Sequence, residues 1–446
     1  IKPSEQAGLL SNLYNALNGG QADSRIAKIV NDLANNSEKS IVVCNSNDAE
    51  VQTLVNAINN KLGNYENTMS LSNPSYLKQG NDLDVTALIK EMNAGNIAAL
   101  ITYNTNPSYS LQHADAYNTG CKKVGLTIAT SLYNDETTTN MDYACPDNHY
   151  LESWGDANPS KGEFTLMQPT ISSLFNGRQF QESIMSWMGK SDYHSYLKDF
   201  YSNIDWNQSV HDGYFTKKQS VKNLSSFTAK VPSFSLSKAE GIEFEMYEKI
   251  SMGDGSQANN PWLQELPDPL SRACWDNYLT MSAATARDLG IKNWNVSNGA
   301  LNGNMVNITV NGTTLNNVPV MIQPGQADGS VAMAVGYGRT ASGKCGDGIG
   351  FNAFALGNGD AIIEVVGGEY EFAATQLHHT MMGRDIIKET TLTDFIKDPH
   401  SGNHQVTYAT HNGQQPADKV TLWDAHDHST GHFWNMSIDL TSCIGC

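Results

Sequence analysis

The sequence predicts a mixed α/β architecture in its first third and a β-barrel of roughly six strands towards its end. In the first third, short apolar runs alternate with amphipathic helical patterns, which is typical of a doubly wound parallel sheet covered on both faces. Beyond residue 270 the apolar period changes to two between turn signals, as in antiparallel strands. A chain of 446 residues also exceeds one ordinary core, so we expect two or three domains.

The first predicted strand and helix lie between residues 40 and 63. Ser40–Asn45 (SIVVCN) is an apolar run of strand type. Asp48 is a favourable N-cap for the helix that follows, because its carboxylate accepts hydrogen bonds from the free N–H groups of the first turn. The apolar residues of this helix repeat at helical spacing until Gly63 ends it, and they are Val51, Leu54, Val55, Ile58 and Leu62.

Two further strands complete a βαβαβ pattern. A helix over Val85–Met92 presents one apolar face and stops at Gly95. It leads to the apolar runs Ile97–Tyr103 and Val124–Leu132, which we predict to be parallel strands. We assign residues 1–150 to this parallel-sheet domain.

Ligands of such sheets bind beyond the carboxyl ends of the strands. Here those ends are Asn45–Asn47, Asn104–Asn106 and Tyr133–Asn134. None of these turns carries the Gly-x-Gly-x-x-Gly pattern of dinucleotide sites, so ordinary strand-to-helix turns rich in Asn are the alternative interpretation.

The remaining chain divides into four parts. Residues 151–270 lack a clear period except near 181–188, where a helix is predicted, and Pro261–Leu270 has the prolines of a linker. Residues 271–372 form the predicted barrel, in which Ser282 caps a short helix and three successive antiparallel strands follow at Met305–Val310, Val318–Ile322 and Ser330–Val335. Residues 373–432 are expected to be an extended linker. Residues 433–446 begin another domain, with a strand at Trp434–Leu440.

Composition excludes several classes of protein. The formal charge of −18 and the lack of any basic cluster argue against a nucleic-acid partner. No apolar run reaches the roughly 18 residues that a membrane span requires. The 7 cysteines are odd in number and mostly far apart, which does not describe a disulfide framework. Because no leader pattern opens the sequence at Ile1, we expect both ends to be cut from a longer chain.

The sequence ends on a Cys-x-x-Cys pair, Cys443 and Cys446. Two thiolates supply only half of a four-thiolate site, whether for zinc or for an iron–sulfur cluster, and a redox dithiol is a further alternative. His426 and His428 precede the pair and are compatible with bound zinc or copper. We favour a solvated Gly/His-rich linker, in which they need no metal.

The most distinctive internal segment is VGYGRTASGKCGDGIGFNAFAL, at Val335–Leu356. We call it the glycine loop. Its glycines allow the backbone to pass close to another group, because glycine has no side chain and tolerates positive φ angles. Composition leaves open whether that group is a ligand or a neighbouring domain.

Taken in order, these parts resemble one family. The βαβαβ region, ESWGD at Glu152–Asp156, the stretch PGQADGSVAMAVGYGRT and the terminal FWNMSIDLTSCIGC are similar to a fused subunit of bacterial alternative complex III. In that family a molybdopterin-oxidoreductase-like part is joined to an iron–sulfur, ferredoxin-like part. The resemblance covers nearly the whole chain and is most specific in Ser330–Asn352 and Phe433–Cys446.

The resemblance implies that Cys443 and Cys446 are the first two ligands of an iron–sulfur cluster of the 4Fe-4S or 3Fe-4S type. The other ligands are then expected beyond Cys446, and further chain is expected before Ile1. In such clusters the burial of the metal and the hydrogen bonds to its sulfurs set the reduction potential.

The resemblance also implies a vacant pterin site, so that molybdopterin is absent and the large domains are a scaffold. Gly162–Thr165 runs into Leu166–Pro169 (LMQP), where cofactor-carrying relatives have a polar segment that grips the pterin, and we expect that grip to be lost. Gly336, Tyr337, Gly338 and Arg339 would line the former cofactor groove. We expect Arg339 to pair with a carboxylate rather than with a phosphate.

The function implied by the resemblance is electron transfer in a respiratory complex that oxidises quinol. The expected partners are integral-membrane quinol-binding subunits, multihaem cytochrome c subunits and a terminal oxidase. The expected location is the periplasmic side of the bacterial inner membrane, reached by a twin-arginine signal upstream of Ile1. The alternative is a catalytic molybdenum oxidoreductase of the polysulfide or dimethyl sulfoxide reductase type, in which the metal centre performs the bond chemistry.

Overall fold

The computed structural model describes residues 1–218, 227–236, 240–296, 299–376, 381, 386–403, 405–421, 423 and 426–445. The chain divides into two compact units, Ile1–Leu377 and His378–Cys446. None of the described helices is both long enough and apolar enough to cross a membrane.

The first unit begins with six helices and a small parallel sheet. In chain order these elements are α1 (Gln6–Leu17), α2 (Ala27–Asn35), α3 (Ala49–Lys61), α4 (Asp82–Ala94), β1 (Ala99–Tyr103), α5 (Pro107–Ser110), α6 (Ala114–Cys121), β2 (Leu126–Ser131) and β3 (Tyr143–Pro146). β2 lies between β1 and β3, and both pairings are parallel. Two of these strands were predicted from the sequence, and β3 was not.

The helices α3 and α4 form where the sequence predicts them. The Asp48 carboxylate accepts hydrogen bonds from the N–H groups of Glu50 and Val51, at 2.8 and 2.9 Å. α4 ends at Gly95, which adopts a left-handed conformation with φ of 76°. It begins earlier than predicted because the side chain of Asn81 caps it.

The predicted strand Ser40–Asn45 is wrong. These residues are not assigned to any strand in the structure. The buried amide of Asn59 accepts a hydrogen bond from the N–H of Val42 at 2.9 Å and donates one to its carbonyl at 2.7 Å. A neighbouring strand would make these same two bonds, so the Asn59 side chain takes the place of a strand partner.

The parallel sheet is covered by helices on one face. α4 and α6 pack there around an apolar cluster formed by Met92, Leu100, Tyr117, Cys121 and Val124. Ile101, Leu126 and Tyr143 on the strands are exposed in the described chain. The predicted covering of both faces is therefore not confirmed.

A small antiparallel subdomain follows. It contains β4 (Gly155–Ser160), β5 (Glu163–Met167), α7 (Phe180–Trp187), α8 (Tyr193–Phe200), α9 (Trp206–Asp212) and β6 (Tyr214–Thr216), with β5 between β4 and β6. Its core is largely aromatic and consists of Leu166, Met185, Tyr193, Leu197, Tyr201 and Phe215. The helix predicted near residues 181–188 is confirmed as α7.

The last part of the first unit is a closed barrel. Its elements are β7 (Ile242–Tyr247), α10 (Pro261–Glu265), β8 (Leu279–Met281), α11 (Ala283–Asp288), β9 (Asn293–Asn295), β10 (Leu301–Val310), β11 (Thr313–Ile322), β12 (Ser330–Ala334) and β13 (Gly359–Phe372). The strand order is β11-β8-β12-β7-β13-β10, and the pairing of β10 with β11 closes the ring. β9 extends the sheet beside β10. The predicted barrel of about six strands is confirmed.

The barrel differs from the prediction in strand order. The sequence predicts β11 and β12 as antiparallel neighbours, but β8 lies between them, parallel to β11 and antiparallel to β12. β7 comes from the part of the chain with no clear period and pairs in parallel with β12. A strand as short as β8 carries too little of a period-two pattern to be recognised. The Asn311-Gly312 hairpin turn is confirmed, with φ angles of 50° and 81°.

The second unit contains α12 (Leu392–Lys397) and a hairpin of β14 (Thr407–Thr410) and β15 (Gly413–Pro416). The predicted linker thus contains regular structure. The strand predicted at Trp434–Leu440 is wrong, since none is assigned in residues 426–445. The Asp439 carboxylate instead accepts a hydrogen bond from the N–H of Thr441 at 2.9 Å, and such local bonds compete with sheet formation.

The barrel interior should control the stability of the first unit. Ile308 is fully buried at 0% exposure, whereas Ile362 on the paired strand β13 is 72% exposed. We expect Ile308→Ala to lower the free energy of unfolding by about 3 kcal/mol through lost burial and an internal cavity. Ile362→Ala should lower it by less than about 1 kcal/mol. Denaturant unfolding of both variants checks this, and equal losses would contradict the barrel packing.

Candidate functional site

A cleft of about 630 Å³ opens at the carboxyl ends of β1 and β2. The turns after these two strands, the segment after β7 and the glycine loop all contribute to its walls. Its lining residues are Asn104, Thr105, Asn106, Tyr109, Ser110, Ser131, Leu132, Tyr133, Asp135, Asp254, Ser256, Gln257, Asn259, Asn260, Arg339 and Ser342. The cleft therefore lies where a ligand of a parallel sheet is expected. The predicted position Asn45–Asn47 does not line it.

The turn after β1 holds the turn after β2. The side-chain oxygen of Asn106 accepts hydrogen bonds from the N–H and the hydroxyl of Thr137, at 3.1 and 2.7 Å. Its side-chain nitrogen donates to Glu136 at 2.7 Å. One amide thus fixes both the position of the second turn and the orientation of its carboxylate.

The glycine loop packs closely against other parts of the chain. A β-carbon at Gly336 would lie 2.8 Å from the carbonyl oxygen of Gly253, and one at Gly343 would lie 2.6 Å from the side chain of Asn259. A β-carbon at Gly338 would overlap the backbone of Asn352. The sequence leaves open what these glycines approach, and the structure shows that these three approach neighbouring chain segments.

A buried amide and a tyrosine join the glycine loop to the rest of the first unit. Asn277 donates hydrogen bonds to the carbonyls of Ala334 and Phe351, at 2.7 and 2.8 Å, and accepts one from the N–H of Phe351. Tyr109 donates its hydroxyl proton to the carbonyl of Tyr337 at 2.8 Å. The loop is therefore held at both of its ends.

Arg339 and Glu136 form a buried ion pair at the wall of the cleft. The shortest distance between them is 2.7 Å, and their side chains are only 5% and 12% exposed. The Nε atom of Arg339 donates to both carboxylate oxygens, at 3.0 and 3.1 Å. The guanidinium lies over the ring of Tyr109, with its central carbon 4.8 Å from the ring centre. Arg339 thus pairs with a carboxylate, as predicted.

The carboxylate of Glu136 also accepts backbone hydrogen bonds. The N–H groups of Thr340 and Ala341 donate to its Oε1 atom at 2.7 and 3.0 Å. Burial favours the neutral acid, but the hydrogen bonds from Arg339, Thr340 and Asn106 outweigh it and lower the pKa of Glu136 to about 2. Glu136 is therefore ionised across the physiological pH range.

The described lining of the cleft does not fit an anionic dinucleotide. Arg339 is the cationic side chain among the lining residues, and Glu136 neutralises it, while Asp135 and Asp254 add negative charge. A pterin dinucleotide carries phosphate groups, which need free cations or N–H groups. The N–H groups of Thr340 and Ala341 are already used by Glu136.

The other predicted groove residues do not line the cleft. Gly336 and Gly338 serve the close packing described above, and Tyr337 is buried. The ammonium group of Lys249 lies 5.4 Å from the ring centre of Tyr337. Burial lowers the pKa of Lys249 to about 8. Of the four predicted groove residues, Arg339 alone is among the residues that line the cleft.

Sequence reasoning missed Glu136, the residue that defines the site. Glu136 lies two positions beyond Asn134, at a strand end where a ligand-binding turn was predicted. Its place at this strand end was the feature of the sequence that could have identified it as a site residue. Its partner Arg339 is 203 residues away, and no local pattern could connect the two.

The predicted cluster ligands lie in the second unit. Cys443 is exposed and forms no disulfide. Cys446 lies outside the described residues. The rings of His426 and His428 are 4.8 Å apart. Within the described part of the chain, no three His, Cys, Asp or Glu side chains are grouped as metal ligands.

Comparison with known proteins finds a curated protein of similar sequence. No protein-family model matches the chain. The menaquinone reductase, molybdopterin-binding-like subunit of Nitratidesulfovibrio vulgaris (strain Hildenborough) is 24% identical over 284 residues, which are 60% of this chain and 38% of that subunit.

A solved structure, the acetylene hydratase from Pelobacter acetylenicus, is also similar. It has a TM-score of 0.45 and 13% sequence identity, over 61% of this chain and 42% of that one. This chain therefore covers less than half the length of each of these two proteins.

The close packing of the glycine loop can be tested at two glycines with similar backbone angles. Gly338 and Gly348 have φ angles of 69° and 73°, but a β-carbon at Gly348 would meet nothing within 4 Å. We expect Gly348→Ala to cost only the strain of a positive φ, about 1 kcal/mol. Gly338→Ala should cost at least about 2 kcal/mol more, because the backbone of Asn352 must move. Thermal unfolding measures both, and equal costs would contradict the contact.

The ion pair should make stability depend on pH in acid. The carboxyl of Glu136 has an ordinary pKa of 4.5 and a folded pKa of about 2, so its contribution is fully present above pH 4.5 and is lost as the pH falls towards 2. We expect Glu136→Gln to reduce the free energy of unfolding by about 3 kcal/mol at pH 7. This difference from the wild type should shrink between pH 4.5 and pH 2.

Urea unfolding at a series of pH values measures this difference. Glu248→Gln is a suitable control, because Glu248 forms a surface pair with Lys78 at 3.9 Å and is 59% exposed. It should change stability by less than about 1 kcal/mol at any pH. If the difference in unfolding free energy between the wild type and Glu136→Gln stays constant down to pH 2, the ion pair does not cause the loss of stability in acid.

Proposed function

We propose that this chain is a non-catalytic, molybdopterin-like scaffold in a quinone-linked electron-transfer complex of a respiratory membrane. The sequence similarity to a molybdopterin-binding-like subunit of menaquinone reductase supports the quinone-linked role. The observation that carries the scaffold role is the buried pair of Arg339 and Glu136. It uses, within the protein itself, the positive charge and the N–H groups that an anionic cofactor would need.

The proposal extends to an iron–sulfur domain. Cys443 and Cys446 would be the first two ligands of a 4Fe-4S or 3Fe-4S cluster whose other ligands lie further along the chain. The exposure of Cys443 leaves its thiol available for this role. Thiolate ligands close together in the chain, with backbone N–H groups directed at the sulfurs, are suited to such clusters.

We also propose the surroundings of the subunit. Electrons would pass from quinol, bound by integral-membrane subunits, through the clusters to multihaem cytochrome c subunits or a terminal oxidase. The chain would lie on the periplasmic side of the bacterial inner membrane. Its large first unit would then offer docking surface and position the clusters between donor and acceptor.

The first test is elemental analysis of the intact purified complex, with an assay for released pterin. The proposal predicts abundant iron with neither molybdenum, tungsten nor pterin. Stoichiometric molybdenum with pterin would overturn the scaffold role and would favour a catalytic molybdenum oxidoreductase.

The cluster assignment is tested by Cys443→Ser in the full-length protein within its complex. We expect this change to remove or convert one iron–sulfur signal in the electron paramagnetic resonance spectrum, because serine is a poor ligand for such clusters. Cys345→Ser, in the glycine loop, is the matched control and should leave every signal intact. Unchanged spectra and iron content for Cys443→Ser would refute the assignment.

A further inference from the structure

The carboxylate of Glu136 lies in a set of donors that resembles an anion receptor. Its Oε1 atom receives hydrogen bonds from the Nε atom of Arg339 and from two consecutive backbone N–H groups, those of Thr340 and Ala341. Its Oε2 atom receives hydrogen bonds from Arg339 and from the amide of Asn106, both at 2.7 Å. An arginine fork with consecutive N–H groups is a general solution for binding phosphate and carboxylate.

We propose that Arg339, Asn106 and the N–H groups of Thr340 and Ala341 form an oxyanion-binding site whose permanent ligand is the chain's own Glu136. When this carboxylate is removed, a free oxyanion of the phosphate or carboxylate class takes its place. The inference follows from the geometry of the first unit and does not depend on the proposed electron-transfer role.

The side chains of Arg339 and Asn106 are held by contacts that do not involve Glu136, and the backbone on either side of Thr340 and Ala341 is held by Gly348 and Asp347. The Nη1 atom of Arg339 donates to the carbonyl of Gly255 at 2.5 Å, and the guanidinium rests on Tyr109. The side chain of Asn106 is fixed by Thr137. The receptor therefore remains formed without its carboxylate. Arg339 then becomes a buried cation without a counter-ion, and because such a charge is costly, binding of an anion is strongly favoured.

An oxyanion from solvent has a route to the site. Arg339 and Asn106 both line the cleft of about 630 Å³. The replacement of Glu136 by alanine removes the carboxylate that these two cleft-lining side chains hold. The space that it vacates therefore borders the wall of the cleft.

The test uses Glu136→Ala in the full chain, with sodium phosphate and sodium acetate as probes at constant ionic strength set with sodium chloride. We expect the melting temperature of this variant to rise steadily with the logarithm of either anion's concentration, because only the folded state binds it. Calorimetric titration should give an apparent affinity at least about tenfold higher than that of the wild type, in which the site is filled. The comparison of acetate with phosphate shows whether the space prefers a planar or a tetrahedral anion.

Three control variants separate this site from general anion effects. Glu136→Gln fills the same space with a neutral amide and should gain no anion dependence. Asp347→Ala removes a carboxylate of the same loop that accepts hydrogen bonds from Ser342 and Gly343, whereas the guanidinium of Arg339 donates to Glu136 and Gly255. The double variant Glu136→Ala with Arg339→Ala should lose the gained affinity.

The outcomes are distinct. If Glu136→Ala folds and neither anion binds more tightly than to the wild type, the proposal is wrong. If Glu136→Ala fails to fold, added phosphate or acetate should restore folding, and no recovery with either anion would equally overturn it. If Glu136→Gln or Asp347→Ala gains the same anion dependence, the anions bind elsewhere and the proposal also fails. Stoichiometric molybdenum with pterin in the intact complex would refute the scaffold role and leave this result unaffected.

Discussion

The buried ion pair between Arg339 and Glu136 is the interaction on which the cleft depends. Removing two charged groups from water costs roughly several kcal/mol per ion. Their mutual attraction offsets this cost only when further hydrogen bonds satisfy both groups. Here the turn after β1, the segment after β7 and the glycine loop each contribute at least one such bond. The pair is complete only when all of these segments and the turn after β2 are in place. It therefore specifies how they fit together, more than it adds to the free energy of folding.

Hydrogen bonds between distant segments also hold the rest of the cleft wall together. Asn277 and Tyr109 satisfy backbone groups of the glycine loop that would otherwise be buried without partners. The positions of Gly336 and Gly338 allow the loop to approach its neighbours at distances that a β-carbon would prevent. The wall is thus a densely connected interface between segments that are distant in sequence.

The parts of this structure that the sequence predicts are those with local causes. The cap of Asp48, the stop at Gly95 and the Asn311-Gly312 turn each depend on residues a few positions away, and all three are present. The run Ser40–Asn45 has the composition of a strand, but the side chain of Asn59 supplies its hydrogen bonds. Whether such a run enters a sheet depends on the available partners, which its own residues do not specify.

The candidate site likewise has some features that could be predicted from the sequence and others that depend on distant residues. A cleft at the ends of β1 and β2 follows from the general geometry of parallel sheets, and so the turns at Asn104–Asn106 and Tyr133 could be named in advance. A carboxylate partner for Arg339 was expected from the resemblance, which implies a vacant pterin groove. The choice of Glu136 among the acidic residues depends on the fold of the whole first unit.

The parallel pairing of β7 with β12 has a consequence for how such a chain can change over time. Because the two strands run in the same direction, the cleft segment that follows β7 and the glycine loop that follows β12 leave the barrel from the same rim. The N–H of Val335 still donates to Tyr247 at 2.8 Å where the two segments depart. Val335, Ala353 and Leu356 of the glycine loop belong to the barrel core, so only the other positions of these two loops can change without altering the barrel interior. Residues at this rim can therefore vary while the strands that form the barrel stay the same.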